Sequence, residues 1–155
     1  MKVIVFSDSH GSVDYMLRAI EKEHPDAIFH LGDHAEDGEQ LEHAFPTLSS
    51  LIVRGNCDYL THQPPIIVTS IQGVRLYLCH GHTLGVKYSL LRAELAAREE
   101  EAKVLLYGHT HVPHLEETPS GLLMINPGSY QNRGYAILNL QDGFARAELK
   151  EYRQR

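Results

Sequence analysis

Three short apolar runs near the start of the chain each stop abruptly in polar residues able to bind a cation. Stretches of helical periodicity separate them, and this alternation limits the fold more than any other feature. Lys2 to Phe6 is rich in β-branched residues and is closed by Ser7-Asp8-Ser9-His10-Gly11-Ser12, which predicts a buried strand. Val13, Met16, Leu17 and Ile20 then recur at the spacing of one helix face, and Pro25 ends that helix. Asp26 to Leu31 predicts a second strand, closed by Gly32-Asp33. A short helix is expected over Glu36 to Ala44 and a third strand over Leu51 to Val53. Such an order belongs to parallel βαβ units, whose ligands gather beyond the carboxyl ends of the strands. Those ends carry Asp8 and His10, then Asp33, then Asn56.

The character changes after Pro64-Pro65. Ile66 to Ser70 and Val74 to Cys79, on either side of Ile71-Gln72-Gly73, predict a hairpin that runs into His80-Gly81-His82. A helix should follow with Leu84, Tyr88, Leu91 and Leu95 on one face, Glu99-Glu100-Glu101 being its solvated end. Val104 to Tyr107 predicts another strand, ending in Gly108-His109-Thr110-His111. From His114 to about Lys150, turn markers at Ser120-Gly121, Asn126-Pro127-Gly128 and Asp142-Gly143 predict short antiparallel strands. The expected class is α/β, an α+β sandwich of two mixed β-sheets packed face to face with helices outside. A single domain over residues 1–155 accommodates it.

Composition narrows the function classes. The 155 residues carry a formal charge of -6, and the 14 Lys and Arg are scattered, which argues against long nucleic acid as a partner. A small anionic substrate held by a local positive charge stays compatible. No run approaches the roughly 18–20 apolar residues that span a membrane. The opening apolar run is too short for a signal peptide, so a soluble cytoplasmic protein is expected. In that setting Cys57 and Cys79 are not expected to form a disulfide. Histidine is the unusual residue: there are eleven, and several close apolar runs.

The strand-end residues Asp8, His10, Asp33, Asn56, His80, His109 and His111 form the candidate site. Each alone has an ordinary reading, a turn residue or helix cap for Asp and Asn and a hydrogen-bonded surface group for His. Together, at the ends of separate strands, they read as a ligand set of two carboxylates, four imidazoles and one amide. Mixed nitrogen and oxygen donors suit Mn²⁺, Fe²⁺, Zn²⁺, Ni²⁺ or Co²⁺ better than Ca²⁺ or Mg²⁺. The set is too large for one such ion and fits two if a carboxylate bridges them. Two divalent ions against two carboxylates leave a positive site that attracts an anion. A metal pair roughly 3.5–4 Å apart is suited to hydrolysing phosphate esters.

The motifs Asp8-Ser9-His10, Gly32-Asp33, Gly55-Asn56-Cys57-Asp58, His80-Gly81-His82 and Gly108-His109-Thr110-His111, in this order, resemble the calcineurin-like metallophosphoesterase superfamily. The short length, the Gly-Asn-Cys-Asp stretch and Ile125-Asn126-Pro127-Gly128-Ser129 are similar to its small bacterial and archaeal phosphodiesterases, the YfcE-type branch. The resemblance implies that Asp8, His10 and His111 hold one metal. Asn56, His80 and His109 would hold the second, with Asp33 bridging. It implies two divalent transition metals, manganese first, with Ni, Zn, Fe or Co as alternatives. It also implies the four-layer fold of metal-dependent phosphatases, and a hydroxide between the metals that attacks phosphorus in line. The activity implied is hydrolysis of small phosphodiesters, and homo-oligomerisation is a further expectation. The alternative is a non-catalytic scaffold, because the retromer scaffold subunit resembles the same family. The complete ligand set favours the enzyme.

In much of that family a histidine follows the asparagine and is thought to protonate the leaving group; here Cys57 stands there. A thiol with a pKa near 8.5 is a sluggish acid. Cys57 therefore reads as a thiol lining the pocket, with a weak acid or an extra ligand as the other readings. His82 or His34 could supply the proton instead, packing being an equally good reading of His82. Asp58 is expected to orient the Asn56 loop, Arg133 to form a surface ion pair, and the Asn126–Ser129 turn to lie near the His109 loop.

Overall fold

In the computed structural model, which describes residues 1–153, the first three apolar runs become β1 (Lys2–Phe6), β2 (Ala27–His30) and β3 (Ser49–Ile52). Helices α1 (Val13–Glu23) and α2 (Ala35–Ala44) connect them, and the three strands pair in parallel. The chain then builds a second sheet from β4 (Ile66–Ile71), β5 (Val74–Cys79), β6 (Val104–Leu106), β7 (His114–Glu117) and β8 (Leu123–Asn126). It returns to the first sheet with β9 (Gly134–Gln141) and β10 (Phe144–Glu151). The strand orders are β10-β9-β1-β2-β3 and β4-β5-β6-β8-β7.

Alternation along the strands sorts the core into layers. Val3 and Val5 of β1, with Phe29 of β2, face Leu76, Leu78, Leu106 and Ile125 of the other sheet. Ile4, Phe6 and Ile28 point the opposite way, onto Met16, Ala19, Ile20 and Leu41 of α1 and α2. On the far side, Tyr77, Cys79, Leu105 and Tyr107 pack on Ala93 and Ala97 of α3 (Leu91–Glu99). The expected two-sheet sandwich with outer helices is therefore the observed architecture. No helix among the described residues is long and apolar enough to cross a membrane.

Three local expectations need correction. The helix after His82 begins only at Leu91, because Gly85 adopts a left-handed φ of 67° behind a short 3-10 turn over His82–Leu84. The four residues expected on one helix face do not form one: Leu84 lies in the 3-10 turn and packs on the core, whereas Tyr88 is 96% and Leu91 59% exposed. Ala93 and Ala97 are buried instead, since small side chains let the helix approach the sheet. In the hairpin Ile71 pairs with Val74, so the turn is Gln72-Gly73 alone, both residues at positive φ. Finally, β8 runs parallel to β6, and only its pairing with β7 is antiparallel. Placing β8 there carries the chain back toward β1 through the Pro127-Gly128 turn.

Candidate metal centre

The candidate ligands leave β1, β2, β3, β5 and β6 at their carboxyl ends, where both sheets open at the same edge. Two clusters form there. Ligand atoms of Asp8, His10, Asp33 and His111 all lie within 4.8 Å of one another, and so do those of Asp33, His80 and His109. Asp33 belongs to both. The loops that present them are strained: Asp8, His10, Asp33, His109 and His111 all have positive φ. Non-glycine residues are held in that region at a cost that the surrounding structure must offset, and such strain clusters at functional sites.

Each side chain is aimed by its second oxygen or nitrogen. Asp8 Oδ2 accepts the Ser7 hydroxyl at 2.5 Å and the His109 N–H at 3.1 Å, which turns Oδ1 into the cluster. His80 Nδ1 donates to the Leu31 carbonyl at 2.7 Å, which leaves Nε2 as the lone-pair nitrogen. That Nε2 lies 3.4 Å from Asp33 Oδ2 and 3.8 Å from Asp8 Oδ1. His111 Nε2 lies 3.0 Å from Asp8 Oδ1. Yet Asp8 Oδ1 and His80 Nε2 are buried atoms with no hydrogen bond of acceptable geometry. Buried polar atoms are nearly always satisfied, so an orphaned ligand atom in each of the two clusters fits cations there. The mixed oxygen and imidazole donors suit divalent transition metals.

The electrostatics agree. Burial alone would raise the Asp33 carboxyl, but the adjoining His80 and the Cys57 N–H hold it well below the usual carboxylate range. Burial would lower His80, and the Asp33 and Asp8 carboxylates overcome it, so its imidazole is raised. Burial, His80 and Lys87 push His109 down to about 4, so it presents a neutral ring to a ligand.

A profile of the calcineurin-like phosphoesterase superfamily domain matches residues 1–143. The chain belongs to that superfamily. It is 34% identical over 155 residues to the probable metallophosphoesterase YsnB of Bacillus subtilis, a match covering 94% of this chain and 88% of that protein. It is 30% identical to the phosphodiesterase YfcE of Escherichia coli K12, over 83% of this chain and 79% of that one. Among solved structures, a predicted phosphoesterase from Streptococcus pneumoniae superposes with a TM-score of 0.78 at 28% identity, over 97% of this chain and 88% of that one. Vps29 of Entamoeba histolytica, solved with Zn²⁺, superposes with a TM-score of 0.75 at 20% identity, covering 97% and 99%, a likeness of fold. The protein is thus a metallophosphoesterase.

In this phosphoesterase the remaining predicted site residues sit at the rim. Asn56 is exposed, on a turn whose Gly55 abuts Asp33, and its amide donates to Cys57 Sγ at 3.4 Å. Cys57 is exposed and its thiol is free; burial and the Asp33 carboxylate push that thiol up. It lines a cavity of about 300 Å³ together with Glu36, Glu39, Asp58, Tyr59, Leu60 and Thr61. His82 lies with its ring 5.4 Å from His80 and 6.1 Å from His109, and its buried Nδ1 has no partner. His34 stacks edge-on against His10 at 4.9 Å, on the other cluster.

The Asn126–Ser129 turn lies where expected. Asn126 Nδ2 donates to the Gly108 carbonyl and to Thr110 Oγ1, both at 3.0 Å, and Ser129 Oγ donates to the Asp8 carbonyl at 2.8 Å. Arg133 makes no ion pair among the described residues; its guanidinium stacks on Tyr15 at 4.4 Å. Three residues had no place in the reading of the sequence. Ser7 orients Asp8, while His30 and Asp37 lie buried behind the metal loops. The available signal was a histidine inside an otherwise apolar strand.

Proposed function

We propose that the protein is a dinuclear phosphodiesterase of small phosphodiesters. Asp8, His10 and His111 would hold one ion and His80, His109 and Asn56 the other, with Asp33 shared by both. Manganese is the first choice, with Ni, Zn, Fe or Co as alternatives. The observation that carries this reading is the pair of ligand clusters sharing Asp33, with Asp8 Oδ1 and His80 Nε2 orphaned between them. When bound, such ions would supply a hydroxide at neutral pH and neutralise charge on the phosphate oxygens. The chain's own groups do the rest. Asn56, exposed at the rim, binds a non-bridging phosphate oxygen, and His82 stands beside the second cluster to hydrogen-bond the leaving oxygen. Relatives named phosphodiesterase, YfcE and a Methanocaldococcus jannaschii protein, support diesters over monoesters.

The test is hydrolysis of bis(p-nitrophenyl) phosphate beside p-nitrophenyl phosphate. Metal-stripped protein receives Mn²⁺, Ni²⁺, Zn²⁺ or Mg²⁺, with Asn56→Ala and Asp33→Asn as controls. Metal-restored diester turnover, lost in both variants, is expected. Two bound ions without turnover of either ester would instead favour a binding role, and full metal occupancy in Asp33→Asn would sink the bridge.

A further inference from the structure

We propose that His30, Ser9 and Asp37 form a buried clamp that fixes the first metal position by locking together the loops of Asp8, His10 and Asp33. The inference rests on the two-metal reading above. His30 and Ser9 are wholly buried and Asp37 is 3% exposed. The Gly32 N–H donates to His30 Nδ1 at 3.2 Å, so the proton sits on Nε2, which donates to Ser9 Oγ at 2.9 Å. The Ser9 hydroxyl is then committed as a donor to Asp37 Oδ2 at 2.6 Å, and the same oxygen accepts the Gly11 N–H at 2.8 Å.

Every hydrogen bond in this chain has one direction, and both partners of the His30 ring lie in loops that carry a ligand. Ser9 and Gly11 flank His10, and Gly32 precedes Asp33. Helix α2 seats the ring, because Gly38 leaves room that an added Cβ would take, 3.0 Å from His30 Cβ. A purely structural role at this strand position would be met by an aliphatic residue, as at Ile28 on the same face, without burying an imidazole, a hydroxyl and a carboxylate. None of the three touches the metal position directly, so they are positioning residues. Groups that orient ligands from behind typically change metal affinity 10–100-fold.

The test is calorimetric titration of metal-stripped protein with Mn²⁺ in wild type, Ser9→Ala, Asp37→Ala and Asp37→Asn. Ser9→Ala and Asp37→Ala should weaken one of the two ions about 10–100-fold and leave the other within about threefold. Asp37→Asn keeps an oxygen able to accept from both Ser9 and Gly11, so it should stay close to wild type. Two unchanged affinities in Ser9→Ala, or equal weakening of both ions, would overturn the clamp. Fewer than two ions in wild type would instead strike the two-metal reading. Amide hydrogen exchange of the metal-free protein then decides the clamp by itself. Ser9→Ala should deprotect the Gly11 and Gly32 amides while α1 keeps its protection, and unchanged protection at both glycines would overturn it.

Discussion

Asp58 and Asp33 hold each other's loops. Asp58 Oδ2 accepts the Asp33 N–H at 2.9 Å, and Asp33 Oδ1 accepts the N–H of Cys57, the neighbour of Asp58, also at 2.9 Å. Asp58 further accepts Gly55 N–H at 2.7 Å, His34 N–H at 2.8 Å and Ala35 N–H at 2.9 Å. It thus caps α2 from outside the helix, where His34 offers no side-chain cap of its own. Asp58→Ala should cost about 2–4 kcal/mol in urea unfolding, because several donors lose a charged acceptor. Asp58→Asn should recover part of that loss. Equal stability of the alanine variant and wild type would mean that water replaces the carboxylate.

Gly108 gives a second test, this time of close packing. A Cβ there would collide with Ser7 Oγ and come 2.9 Å from Asp8 Oδ2, the oxygen that aims Asp8 at the cluster. Gly108→Ala should therefore lower diester turnover at saturating Mn²⁺ by tenfold or more, in line with the cost of misplacing a reacting group. Overpacking should also cost about 1–3 kcal/mol of stability. Steady-state kinetics and a melting curve check both, and wild-type turnover would mean that the β1 loop yields freely.

The question posed by Cys57 is one of leaving groups. Replacing its raised, exposed thiol by alanine should leave p-nitrophenyl diester turnover within about threefold. Cys57→His should accelerate alkyl esters with poor leaving groups by about tenfold or more, since it restores a general acid. His82→Ala should slow those same esters selectively. A plot of rate against leaving-group pKa distinguishes the outcomes; parallel lines for wild type and His82→Ala would end the acid role.

His30 should make stability depend on pH. Burial lowers its pKa to about 4 from 6.5, against the pull of Asp37, Asp58 and Asp8. Between those values the unfolded chain binds a proton that the native state does not. The contribution is therefore complete above pH 6.5 and is lost as pH falls toward 4, to the extent of about 3 kcal/mol. Urea unfolding of the metal-free protein at stepped pH, with the His30 ring followed by NMR, measures it. A ring that titrates near 6.5 in the folded protein would contradict this.

The sequence by itself marked the residues that end β1, β2, β3, β5 and β6, and with them the six residues of the two clusters. Strand periodicity, glycine turns and donor chemistry are local properties, so Asp8, Asp33, His80 and His109 could be picked out without contacts. Only the tertiary structure decided what stands behind them. Ser9, His30 and Asp37 are separated by up to 28 positions and meet only because α2 folds back over β2. The same holds for α3, where leucine spacing put Leu91 and Leu95 on one apolar face and the buried residues are Ala93 and Ala97. Apolar periodicity records which faces a segment could bury; which face it does bury is set by how closely the sheet lets a helix approach.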